Sequence, residues 1–195
     1  MTKRYDHDII ELNARDTFCK AKINSFPIDK VQLSFVKFDP STNKSIQAVD
    51  AYVSFEEMKV LCADILSGRI AAMAKAELAK GAAWPAAVWQ SMGGTDADKC
   101  KERGLRTDGK AMSRIVKIIP GKKMPFLLQV DQGPGESNAK GLIVPKYSSP
   151  EVRIMVPLSA DMIKAFALLT DSHINAWFTY QFMSGGYDST YQKPE

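Results

Sequence analysis

Glu151-Val-Arg-Ile-Met-Val-Pro-Leu-Ser-Ala-Asp161 changes period halfway along. Val152, Ile154 and Val156 fall on one face of an extended chain and Arg153 on the other, the pattern of a half-buried strand. Beyond Pro157, Ser159 is placed to cap a helix and Asp161 to sit at the positive end of its dipole. Met162, Ile163, Phe166, Leu169, Ile174, Trp177 and Phe178 then supply an apolar side, with Thr170-Asp-Ser172 as a place where the helix either breaks or recaps. A strand running directly into a capped helix is therefore the unit from which the fold is read.

The same unit occurs upstream. Val31-Gln-Leu-Ser-Phe-Val-Lys-Phe38 is β-branched and aromatic, as a strand should be. Asp39-Pro-Ser-Thr-Asn-Lys44 holds turn residues, and Ile46-Gln-Ala-Val-Asp-Ala-Tyr-Val53 returns as the second strand of a hairpin. Ser54-Phe-Glu-Glu57 is a capping box, after which Phe55, Met58, Leu61, Cys62 and Ile65 recur at helical spacing. This helix ends at Gly68 or continues to Lys80. Three more strands precede Glu151: Ser113–Ile119, Met124–Asp131 and Lys140–Tyr147, ending at Pro120-Gly121, Gly133-Pro134-Gly135 and Ser148-Ser149-Pro150. With 151–156 they make an antiparallel meander.

The expected class is α+β, two antiparallel β-sheet plus helix modules in one domain. Residues 1–25 read as an N-terminal arm with a short helix around Ile9 to Cys19. Module one spans 26–80, an exposed connection 81–112, module two 113–185, and a polar tail 186–195. Trp84 and Trp89 in the connection read better as tryptophans packing an alanine-rich helix onto the core than as platforms for bases.

Composition narrows the function. An apolar fraction of 45% in 195 residues is enough for a core. Cys19, Cys62 and Cys100 are odd in number and lack a C-x-x-C pair, which suits three reduced thiols in the cytoplasm rather than a zinc ribbon or a disulfide scaffold. Met1-Thr-Lys-Arg-Tyr5 runs into Asp6 and Asp8 with no apolar stretch of the kind a signal peptide needs. No apolar run reaches the roughly 18 residues of a membrane span. The net charge is only +4, yet residues 110–156 carry eight cations against three acids, a net +5. Such a block suits a polyanion.

Catalytic motifs are missing by contrast. His173 has no H-E-x-x-H context, no serine or cysteine sits in an elbow motif, and neither Gly133-Pro-Gly135 nor Gly93-Gly94 is followed by G-K-[ST]. Asp96 and Asp98 form a D-x-D that reads as a solvated loop rather than a metal site. The chain is thus expected not to be an enzyme and to need no cofactor or metal. Strands carrying cations beside apolar residues suit single-stranded nucleic acid, where ammonium groups track phosphates and aromatic rings stack on unpaired bases. Duplex recognition calls instead for a basic helix or ribbon.

Leu128-Gln-Val-Asp-Gln-Gly-Pro-Gly-Glu-Ser-Asn-Ala-Lys-Gly-Leu-Ile-Val-Pro-Lys-Tyr147, with Val152-Arg-Ile-Met-Val-Pro-Leu-Ser159 and its helix, resembles the Whirly and positive cofactor four superfamily of single-stranded DNA binders, in its bacterial or mobile-element branch. The resemblance covers about a quarter of the chain well and the first half only by architecture. The Lys-Gly-Lys-Ala-Ala-Leu motif of plant Whirly proteins does not occur. What it implies is a Whirly-like domain that binds single-stranded DNA, or RNA, largely without regard to sequence, in replication, recombination, transfer or transcription, with a homo-oligomer as a further implication. The residues expected to make contact are Lys117, Lys122, Lys123, Phe126, Gln129, Lys140, Lys146, Tyr147 and Arg153, with Phe35, Lys37, Lys44 and Tyr52 in the first module. Phe126 and Tyr147 read equally well as core. The competing reading is a protein-interaction module whose basicity is incidental.

Overall fold

The computed structural model describes residues 7–185; residues 1–6 of the expected arm and the expected tail, 186–195, fall outside the described residues. Its elements run β1 Asp8–Asn13, β2 Thr17–Lys22, β3 Lys30–Phe38, β4 Ser45–Ser54, α1 Phe55–Leu66, α2 Arg69–Ala79, β5 Trp89–Thr95, α3 Ala97–Glu102, β6 Ala111–Pro120, β7 Phe126–Ser137, β8 Ile143–Pro145, β9 Val152–Leu158 and α4 Ala160–Met183. The protein is α+β, with a four-stranded antiparallel sheet β1-β2-β3-β4 and a five-stranded one in which β5, β6 and β7 are followed by β8 and β9, both paired with β7.

The short helix expected within the N-terminal arm is replaced by strands among the described residues. Between Ile9 and Cys19 the chain forms β1 and the start of β2 instead. Thr17, Cys19 and Ala21 point inward while Phe18, Lys20 and Lys22 point out. Period-two alternation decides the state, but the inward residues are small or polar, so the pattern is faint in the sequence. The connection 81–112 is likewise structured. It contains β5, whose Gly93-Gly94 pairs with Arg114 and Ser113, and the short helix α3 capped by Asp96.

Gly133-Pro134-Gly135, expected as a turn, lies within β7. Pro134 has no N–H to give a neighbour, and it falls between the end of the β9 pairing at Gln132 and the start of the β8 pairing at Gly135. The expected strand 140–147 shrinks to β8. Gly68, at φ 83°, divides the helical stretch after Ser54 into α1 and α2, whereas α4 passes through Thr170-Asp-Ser172 unbroken.

Both capping serines act as their positions require: Ser54 Oγ accepts from Glu57 N at 3.3 Å and Ser159 Oγ from Met162 N at 3.1 Å. Register sets Val31 against Val53, Leu33 against Ala51 and Phe35 against Val49, so one face of the first sheet is apolar throughout. That face, the Val116, Leu128, Val130, Ile154 and Val156 face of the second sheet, and the inner sides of α1 and α4 share one core. Phe26, Phe55, Trp177 and Phe178 tie the modules together, with Phe26–Phe55 centroids 4.9 Å apart and Phe55–Phe178 5.4 Å apart, both edge-to-face. The helices thus serve the inner faces, and each sheet keeps an outer face for other uses.

Candidate nucleic-acid interface

On the outer face of the second sheet, strand register places Lys117 opposite Gln129 and Asp131 opposite Arg153. Asp131 is only 1% exposed, and it gathers the other three. Lys117 Nζ lies 2.8 Å from Asp131 Oδ2, and Arg153 donates from Nε to Oδ1 at 2.7 Å and from Nη2 to Oδ2 at 3.3 Å. Gln129 Nε2 completes the set at 2.9 and 3.0 Å. Burial by itself would raise the Asp131 carboxyl; Arg153 and Lys117 outweigh it and leave the group below the usual carboxylate range. Sequence reasoning counted Lys117, Gln129 and Arg153 as contacts. They converge in space, but on a buried carboxylate, one of the three acids within the basic stretch.

The far end of this face is covered. A Cβ at Gly133 would meet the Tyr147 ring at 2.7 Å, and one at Gly135 would meet Ile143 at 2.9 Å, so the 138–147 segment lies against bare backbone there. Tyr147 is half-buried, its phenol pushed up by burial and next by the Asp131 charge. Lys146 is exposed and pairs with Glu136 at 2.5 Å. Lys140, Lys122 and Lys123 are exposed in the loops at either end of β7 and have no ion pair among the described residues.

Three expected contacts are withdrawn on burial, the first being Gln129, 4% exposed and committed to Asp131. Phe126 is 5% exposed and Phe35 0%; both rings are in the shared core and present no face to a base. Lys37 stands on the core side of β3, opposite Thr17 at its rim, and Lys44 is exposed in the β3–β4 turn. Tyr52 is on the outer face of the first sheet, opposite Gln32 and 42% exposed.

That first outer face holds residues missed in the sequence. Phe18 and Phe38 are both half-exposed, with ring centroids 5.9 Å apart, and Lys20 Nζ stands 5.9 Å from the Phe18 centroid. Lys20 is held by Asp8 at 2.8 Å and Glu11 at 2.9 Å. Lys22 faces the same way beside Gln32 and makes no ion pair among the described residues. The signal for this face was the 18-20-22 alternation inside the supposed arm.

The tryptophans separate. Trp89 packs partly against the core, while Trp84 is 91% exposed and packs no helix. Asp96 is engaged as the cap of α3, accepting from Lys99 N at 2.8 Å, and that bond first, with the Lys99 ammonium next, lowers its carboxyl. Among the described residues no group of three or more His, Cys, Asp and Glu comes together, and no helix is long and apolar enough to cross a membrane.

Fold and surface together define an α+β protein of two antiparallel sheets whose outer faces carry cations, acids and, on the first sheet, half-exposed aromatic rings. The chain matches no family model, no curated protein and no solved structure.

Proposed function

We propose that this protein binds single-stranded nucleic acid, largely independent of sequence, along the two sheet faces turned away from the helices, and that it is a non-enzymatic member of the Whirly and positive cofactor four superfamily. The observation that carries the proposal is the first outer face, where Phe18 and Phe38 stand at one end with Lys20 near the Phe18 ring, and Tyr52 at the other in register with Gln32 and Lys22, on a sheet with its helices on the other side. Half-exposed rings suit stacking, and an ammonium beside them suits the phosphate backbone. Lys44, Lys122, Lys123 and Lys140 extend cations from the turns. The buried free thiols fit a cytoplasmic setting, and roles in replication, recombination, transfer or transcription follow from the same reading.

A second reading has its own support. Trp84 at 91% exposure, with Met73 and Leu78 exposed on the preceding α2, suits a protein partner or a further copy of the chain. Gel shifts of one labelled sequence as single strand, duplex and RNA separate the two. Single strands should bind at least about tenfold more tightly than duplex, with a salt slope near −0.7 per phosphate contact. Binding confined to duplex, or none at low salt, removes the nucleic-acid reading.

A further inference from the structure

The sheet faces leave one cation unexplained. Arg114 lies on β6 on the same face as Val116, half-buried beside β5. It donates from Nε to Gln132 Oε1, from Nη1 to Thr95 Oγ1 and from Nη2 to Met112 Sδ, each at 3.0 Å. An arginine has five N–H donors, so each terminal nitrogen keeps one uncommitted. Among the described residues no carboxylate reaches it as an ion pair. Withdrawing a guanidinium from water without a counter-ion is costly, and burial, first among its influences, pulls this group downward against weaker support from Tyr52, Cys100 and Asp50.

Arg114 borders a cavity of about 400 Å³ between edge strands β4 and β5, shared with Lys30, Tyr52, Ser54, Ser91 and Glu57. Lys30 is exposed and unpaired among the described residues. Glu57 is fixed at one side by Ser91 Oγ, which donates to Oε2 at 2.8 Å. The volume falls within the range of small-ligand sites. A planar guanidinium fork with the Lys30 ammonium lining the same cavity matches the oxygens of a phosphate. The fixed carboxylate repels that phosphate from its own side and accepts from hydroxyl donors.

We propose that this cavity binds a phosphate monoester, gripped by Arg114 and Lys30, with a hydroxyl-bearing portion turned toward Glu57. A free nucleotide and the phosphorylated end of a strand share that chemistry. The cavity adjoins the first outer face through Tyr52, but its phosphate contacts, Arg114 and Lys30, are not among the residues assigned to strand binding, so their variants test the cavity alone.

Calorimetric titration with AMP and with adenosine at matched ionic strength tests it. AMP should bind at least tenfold more tightly than adenosine and raise the melting temperature, and Lys30→Gln and Arg114→Gln should each weaken AMP tenfold or more. Lys30 is exposed, so its variant should melt like the parent without ligand and carries the test if Arg114→Gln fails to fold. Comparing 5′-phosphorylated with 5′-hydroxyl oligonucleotides then identifies the source: tighter binding of the former assigns strand ends, equal binding assigns the free nucleotide. Equal affinity for AMP and adenosine, absence of AMP binding, or AMP binding unchanged in Lys30→Gln overturns the proposal.

Discussion

Asp131 governs how much charge the second sheet can offer. Its carboxylate occupies Lys117 and Arg153 in the free protein, so a nucleic-acid phosphate must displace it or share with it. Asp131→Asn should therefore do two opposite things. Stability at pH 7 should fall by roughly 1–3 kcal/mol, the scale of hydrogen bonds to charged groups, softened because Lys117 and Arg153 can turn to water. Affinity for single strands should rise, and the salt slope should steepen by up to about 1.4 units for two released cations. Because its folded pKa is depressed, Asp131 contributes stability in full above the unfolded aspartate value of about 3.9. That contribution is lost as pH falls through the lower folded value. Urea melts of the variant against pH should accordingly show a shallower acid limb. A steeper acid limb, or weaker binding, refutes this role.

Two phenylalanines test the distinction between core and surface. Phe126→Ala should cost roughly 3–5 kcal/mol of stability, as deletion of a core ring does. Phe18→Ala, on a half-exposed face, should cost about 1 kcal/mol or less as a cross-strand pair, while lowering single-strand affinity by roughly 1–3 kcal/mol. Thermal melts beside binding isotherms separate them; a Phe18 variant with unchanged affinity removes the first sheet as a stacking surface.

At the scale of elements, the turns carry the cations that no acid engages. Replacing Lys44, Lys122 and Lys123 with glutamine should lower affinity for all single strands by a similar factor and flatten the salt slope by up to about two units. Exposed turn residues of this kind should leave stability within about 0.5 kcal/mol per site. Backbone conformation makes the α1–α2 junction more sensitive: Gly68 has φ 83°, so Gly68→Ala should cost roughly 1–2 kcal/mol although nothing crowds the position. Elements with strong local signals were legible, above all β3, β4, β9 and the capped starts of α1 and α4. Weak-signal strands were not. β2 buries Cys19 and Ala21 rather than large aliphatics, and β5 holds a Gly-Gly pair that resembles a loop until β6 is beside it.

For the whole molecule, one core crosses both modules, and α4 of the second packs on α1 of the first. Neither sheet can keep its inner face dry alone. Unfolding should be a single transition, with far-ultraviolet dichroism and the fluorescence of Trp177 and Trp89 coinciding across a urea titration. Two separated transitions would mean that the modules are independent.

Local chemistry determined the α+β class, the strand-then-helix order repeated along the chain and the helix starts, because periodicity, caps and turn residues act over a few neighbours. Tertiary structure decided which side chains share a face and which charges remain available. Lys117 and Arg153 lie 36 positions apart and meet only because β6, β7 and β9 pair in one register. Asp131, central in that register, turns two expected phosphate contacts into partners of a buried carboxylate. Phe35 and Phe126 have the same ring as Phe18 and Phe38; the direction each sheet turns its helices sends one pair into the core and leaves the other half-exposed.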